Sequence, residues 1–123
     1  MATLSTAARN AACNAIVDLC DAGAGAGKLV IRTSGDVEVA TLTLSDPAFG
    51  NAATGVATAS AITSDTSATG GTAAKFTLED DAAAAIITGT VGTSGAELNL
   101  SSTTIGAGAT VSVSSFTVTV PAS

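Results

Sequence analysis

The apolar positions along the chain change period once. Over residues 5–22 they recur at helical spacing. Projected at about 100° per residue, Ala8, Ala12, Cys13, Ala15, Ile16, Val17, Leu19 and Cys20 share one broad face, and Asn10, Asn14, Asp18 and Asp21 line the other. The pattern predicts one amphipathic helix, capped at its start by Thr3 or Ser5. Gly23, the first residue of the run Gly23-Ala24-Gly25-Ala26-Gly27, supplies a left-handed cap at its end. From Lys28 onward the period is two, in short runs rich in Val, Ile and Thr between clusters of Gly, Ser and Asp. Strands are predicted at 28–33, 37–44, 56–62, 73–79, 85–91 and 111–120, with a weaker segment at 97–100.

Ser34-Gly35-Asp36 and Asp80-Asp81 read as tight hairpin turns, and Asp46-Pro47 through Thr54 as a longer connection, so consecutive strands are expected to be antiparallel. Ala74, Phe76 and Leu78 alternate with Lys75, Thr77 and Glu79, as when one sheet face meets a core and the other meets water. In the last strand the inward phase slips, from Val111 and Val113 to Phe116, Val118 and Val120, which predicts a bulge or bend at Ser114-Ser115. The fold class is mainly β: an antiparallel β-sandwich of six or seven strands with one N-terminal α-helix. Residues 1–27 form the helix and a Gly/Ala linker and residues 28–123 the sandwich, within one structural unit. The polar loop from Ser64 to Thr72 is expected to be flexible until a partner orders it.

Composition makes that core thin. Only 27 of 123 residues are Leu, Ile, Val or Phe, with Phe limited to Phe49, Phe76 and Phe116 and with no Trp, Tyr or His. Such a chain is expected to draw part of its stability from neighbours. Ten acidic residues against Arg9, Lys28, Arg32 and Lys75 give a net charge of −6, which repels phosphate backbones and anionic bilayers, so neither nucleic acid nor membrane is an expected partner. No apolar run approaches the roughly 18 residues of a membrane span, and the first residues lack a basic and apolar leader pattern, so synthesis in a cytoplasm is expected.

Each chemical motif has a simpler reading. Gly25-Ala26-Gly27-Lys28 suggests a phosphate loop, but Ala22 stands where glycine is required, Leu29 replaces the magnesium-binding hydroxyl, and the segment runs from helix to strand. Glu79-Asp80-Asp81 is the densest acidic cluster, yet it lacks cation-loop spacing and reads as a solvated hairpin tip. Without histidine there is no ordinary base for a nucleophile, and the carboxylate pairs Asp36 with Glu38 and Glu79 with Asp81 lack the aromatic platforms of sugar-cleaving sites. The expectation is no enzyme, no cofactor, no metal and no catalytic residue. Cys13 and Cys20 are seven helical residues and about 10 Å apart, beyond disulfide reach. They are expected as reduced core thiols or, on a subunit-facing helix, as intermolecular crosslinks.

Several segments carry a family resemblance: Leu4-Ser5-Thr6-Ala7-Ala8-Arg9-Asn10-Ala11, Asp21 through Gly27, Leu42-Thr43-Leu44-Ser45-Asp46-Pro47-Ala48-Phe49-Gly50, Val91 through Leu100, and the ending Val111-Ser112-Val113 through Val120-Pro121. They resemble small virion structural proteins encoded in tailed bacteriophages and prophages. Residues 75–87 depart from that pattern, in which bulkier aromatic and charged residues are expected. The resemblance implies a virion component without catalytic residues, most simply a capsid decoration (cement) protein that binds the major capsid protein or other virion subunits. A homo-oligomer, for example a trimer at three-fold positions, fits that role. The alternatives are a tail- or fibre-associated module and a β-sandwich that binds carbohydrate or a cell surface. The expected subunit-contact face is Ala12, Cys13, Ile16, Val17, Leu19 and Cys20.

Overall fold

The computed structural model describes residues 3–21, 25–45, 48–96, 98–100, 102–113 and 116–120. One helix, α1 (Thr6–Asp18), continues into a 3-10 turn (Leu19–Asp21). Among the described residues ten strands follow: β1 (Lys28–Arg32), β2 (Glu38–Leu44), β3 (Val56–Thr58), β4 (Ile62–Thr63), β5 (Gly71–Thr72), β6 (Lys75–Glu79), β7 (Ala85–Gly92), β8 (Leu98–Asn99), β9 (Thr104–Ile105) and β10 (Thr117–Thr119). Six of them form one curled sheet in the order β4-β2-β1-β6-β7-β8, and the others form two ribbons, β10-β3 and β5-β9. The protein is mainly β with one N-terminal helix, as the change of period predicts.

The register of the large sheet explains its core. Leu29 stands opposite Leu42 on one side and Leu78 on the other, and Ile31 stands opposite Ala40 and Phe76, so these large side chains share one face. Leu29, Ile31, Leu42 and Leu78 are fully buried. Phe116 leads into β10 and closes the second layer onto this face. Its ring centroid lies 5.4 Å from that of Phe76, edge to face, and 6.1 Å from that of Phe49. All the aromatic residues of the chain therefore meet in one cluster, the economical use of scarce bulk.

Three expectations about the strands change. The strand predicted over 56–62 divides: β3 joins the β10 ribbon, whereas β4 pairs with β2 in the large sheet. Consecutive strands are antiparallel at β1-β2 and β6-β7, but β7 and β8 are parallel, because the chain after Gly92 turns back to lay Leu98 beside Val91. The strand predicted over 111–120 is ordered as an isolated bridge from Val111 to Asp65 and then β10, and its burial switches from Val111 and Val113 to Phe116 and Val118. The bulge expected at Ser114-Ser115, the cap at Gly23 and the first two residues, Asp46-Pro47, of the longer connection lie outside the described residues, as does Glu97 of the weaker segment.

The loop expected to be flexible is stitched down. Asp65 Oδ2 accepts from Thr41 N at 2.9 Å and Val39 O accepts from Gly70 N at 3.1 Å, while β5 pairs with β9. Thr41 N and Val39 O belong to β2 beyond its short pairing with β4, so the loop covers an otherwise open edge. A polar composition here supplies strand-capping groups.

Candidate functional site

The face expected to meet another subunit is divided by the fold. Cys13, Val17 and Cys20 are buried in the protein's own core, Ile16 is half-buried, and Ala12 and Leu19 are exposed, Leu19 by 51%. Neither buried thiol is in a disulfide, and Cys13 Sγ donates to Val118 O at 3.3 Å. Both thiols are packing groups on the inner side of the helix, so the outward part of the set is Ala12, Ile16 and Leu19.

The helix is also rotated from its hydrophobic projection. Asn10 and Asn14, placed by the projection on the solvent side, face the β3 loop. Asn10 Oδ1 accepts from Gly55 N and Asn14 Oδ1 from Ala52 N, each at 2.8 Å. Arg9 adds Nε to Val120 O and an Nη to Thr54 O, each at 2.9 Å. Alanine buries little area, so hydrogen bonds to loop backbone decide the docking of an alanine-rich helix. At the helix start Ser5 Oγ accepts from Ala8 N at 3.1 Å, which selects Ser5 over Thr3 as the cap.

The acidic cluster is not a solvated tip. Glu79 is only 6% exposed and its carboxylate lies 3.0 Å from Arg32. Asp80 Oδ1 accepts from Ala82 N and Ala84 N, each at 2.9 Å, holding the turn in which Ala83 takes a positive φ of 66°. Asp81 Oδ2 accepts from Gly25 N at 2.8 Å, which occupies an amide of the phosphate-loop lookalike with the protein's own carboxylate. The other carboxylate pair is equally committed: Asp36 lies 2.8 Å from Lys75 Nζ, and Glu38 accepts from Thr41 and Thr69 hydroxyls. The hydrogen bond from Lys75, and then its charge, hold the Asp36 carboxyl below its ordinary value of 3.8. Among the described residues no three His, Cys, Asp or Glu side chains converge as a metal site, and no helix is long and apolar enough to cross a membrane.

Beside the last turn of α1 lies a groove of about 400 Å³. Ile16 and Leu19 form its helical wall, Phe76 and Phe116 belong to the aromatic cluster, Ile86 and Ile87 come from β7, and Thr117, Val118 and Thr119 are the whole of β10. No lining side chain is charged. The exposed half of the sequence-predicted contact face therefore continues into a cleft that sequence periodicity did not reveal. No protein-family model, curated protein or solved structure matches the chain.

Proposed function

We propose that the protein is a structural component of a tailed-bacteriophage virion, a capsid decoration protein that binds the major capsid protein and stabilises the shell. The sequence resemblance supplies the setting. The geometric observation that carries a binding role is the uncharged groove, which leaves Leu19, Ile16 and the two isoleucines of β7 beside an opening instead of under a second layer. A chain with few large apolar residues gains by covering such a surface with another subunit, and binding of the assembled shell stabilises both partners by mass action. In this role the protein is made in the host cytoplasm, works in the virion, and uses no cofactor.

The test is to mix the purified protein with shells assembled from the major capsid protein of the encoding phage. Saturable co-sedimentation and a raised shell melting temperature are expected. Absence of binding to shells, or binding confined to isolated tails or fibres, contradicts the proposal, and the latter outcome supports the tail-module alternative.

A further inference from the structure

The groove runs between β10 and the Ile86-Ile87 part of β7. Among the described residues β10 pairs with β3 alone, and Ile87 of β7 pairs with Leu78 of β6 while β8 lies beside Val91 and Gly92. Ala59 N donates to Phe116 O and Val120 N to Gly55 O, which fixes the alternation in the β10-β3 ladder. By that alternation Thr117 and Thr119 direct their backbone N–H and C=O groups away from β3. Both threonines line the groove. An extended segment laid in it satisfies those backbone groups and places alternate side chains against Phe76, Ile87 and Phe116, which is the combination that strand addition requires.

Charge selects the kind of segment. The groove itself carries no charged residue, but Asp80 and Asp81 form the turn that leads into β7, whose Ile86 and Ile87 line it. The cations are engaged or directed elsewhere: Arg9 binds carbonyls, Arg32 and Lys75 face Glu79 and Asp36, and Lys28 lies opposite Glu79 on the sheet's other face. A second copy of the chain brings a further charge of −6 to this acidic end, whereas a basic residue complements it.

We propose that the groove is a strand-insertion slot for an extended segment of a different protein, with alternating apolar β-branched residues and a Lys or Arg at one end. The proposal rests on the partner-binding role above and names its surface. It is tested on the full-length protein with a capped synthetic peptide, Lys-Thr-Val-Thr-Val-Thr-Val, followed by amide NMR and hydrogen exchange. Expected are saturable binding, shifts at Thr117 and Thr119, and slowing of exchange at these two amides by about tenfold or more. Replacing the peptide's Lys by Glu weakens binding, and a peptide with central Pro does not bind.

Two variants bear on the same point while leaving the core intact. Leu19→Lys alters an exposed wall position, and Thr119→Pro removes an edge N–H that β3 does not use. Either should abolish peptide binding while leaving the melting temperature near that of the parent. Absence of saturable peptide binding overturns the slot, as does binding without protection at Thr117 and Thr119, or concentration-dependent self-association that protects the same amides. If both variants still bind shells as the parent does, the slot is wrong although the virion role stands. If neither parent nor variants bind shells but the peptide protects β10, the slot stands and the virion role fails.

Discussion

Arg32 and Glu79 stand at opposite ends of the β1-β6 ladder, where Arg32 is opposite Lys75 and Lys28 is opposite Glu79, yet their head groups meet at 3.0 Å. Both lie on the outer face of the sheet, with Val30 and Thr77 between them in the register. The long Arg32 side chain thus spans the face diagonally, and Val30 on that face is buried. The pair fixes one end of β6 to the far end of β1 and keeps a nearly buried carboxylate compensated. Glu79→Ala is expected to cost about 2 kcal/mol, less than for a fully enclosed pair because Arg32 keeps 27% of its side chain exposed. A double-mutant cycle by urea unfolding checks it: the double replacement Arg32→Met with Glu79→Leu should cost less than the sum of the single ones.

The helix is held by polar contacts to loop backbone, so its stability responds to Asn10 and Asn14 more than to its alanines. Asn10→Ala and Asn14→Ala should each cost about 1 kcal/mol, because each leaves a loop N–H without its acceptor. Ala12→Ser, on the exposed side, should change stability by less than about 0.5 kcal/mol. Gly55→Ala should be worse than either Asn change. Gly55 has a φ of +79°, and a Cβ there would lie 2.7 Å from Arg9 and from Val120 O, so both the turn and the helix anchor would have to move. Chemical denaturation of the four variants orders these effects.

Phe116 touches both other aromatic rings, so its removal opens the junction between the large sheet and the β10 ribbon. Phe116→Ala should cost about 3–5 kcal/mol and Phe116→Leu clearly less. Calorimetric melting of the two variants measures the difference, and equal losses would contradict the packing account.

Asp36 gives the protein an acid-sensitive contact. Its folded-state carboxyl is lowered below the ordinary value by the hydrogen bond and charge of Lys75, so the folded state binds that proton more weakly than the unfolded chain does. The contribution is therefore complete above the ordinary carboxylate range and is lost as pH falls through the lowered folded value. Melting curves of the parent and Asp36→Asn should differ at neutral pH, converge in strong acid, and differ less in high salt because the pair is exposed.

The β-rich class, the helix start at Ser5 and the inward alternation of Phe76 and Leu78 were legible in the sequence because each depends on local period or capping chemistry. The phase change from Val113 to Phe116 was legible for the same reason. Less could be read where one residue type serves two purposes. Asn10 and Asn14 count as polar in a projection, but here they supply acceptors to distant backbone amides. Asp65 looks like a loop residue and caps Thr41 of β2; Glu79 looks exposed and finds Arg32 through a pairing of nonconsecutive strands. The division of the candidate contact face has the same origin. Cys13, Val17 and Cys20 lie toward one edge of the broad projected face and Leu19 toward the other, and which edge is buried is set by Arg9, Asn10 and Asn14 contacts that local spacing does not encode. The groove requires β7 and β10 together, separated by most of the C-terminal third of the chain.

The central claim, that this is a many-copy binding component of a virion shell, is tested most directly by quantitative mass spectrometry of purified particles of the encoding phage. The account predicts a copy number comparable with that of the major capsid protein and its loss together with detached shell-bound material. Only a few copies per particle, retained with isolated tails, or none at all, would contradict it.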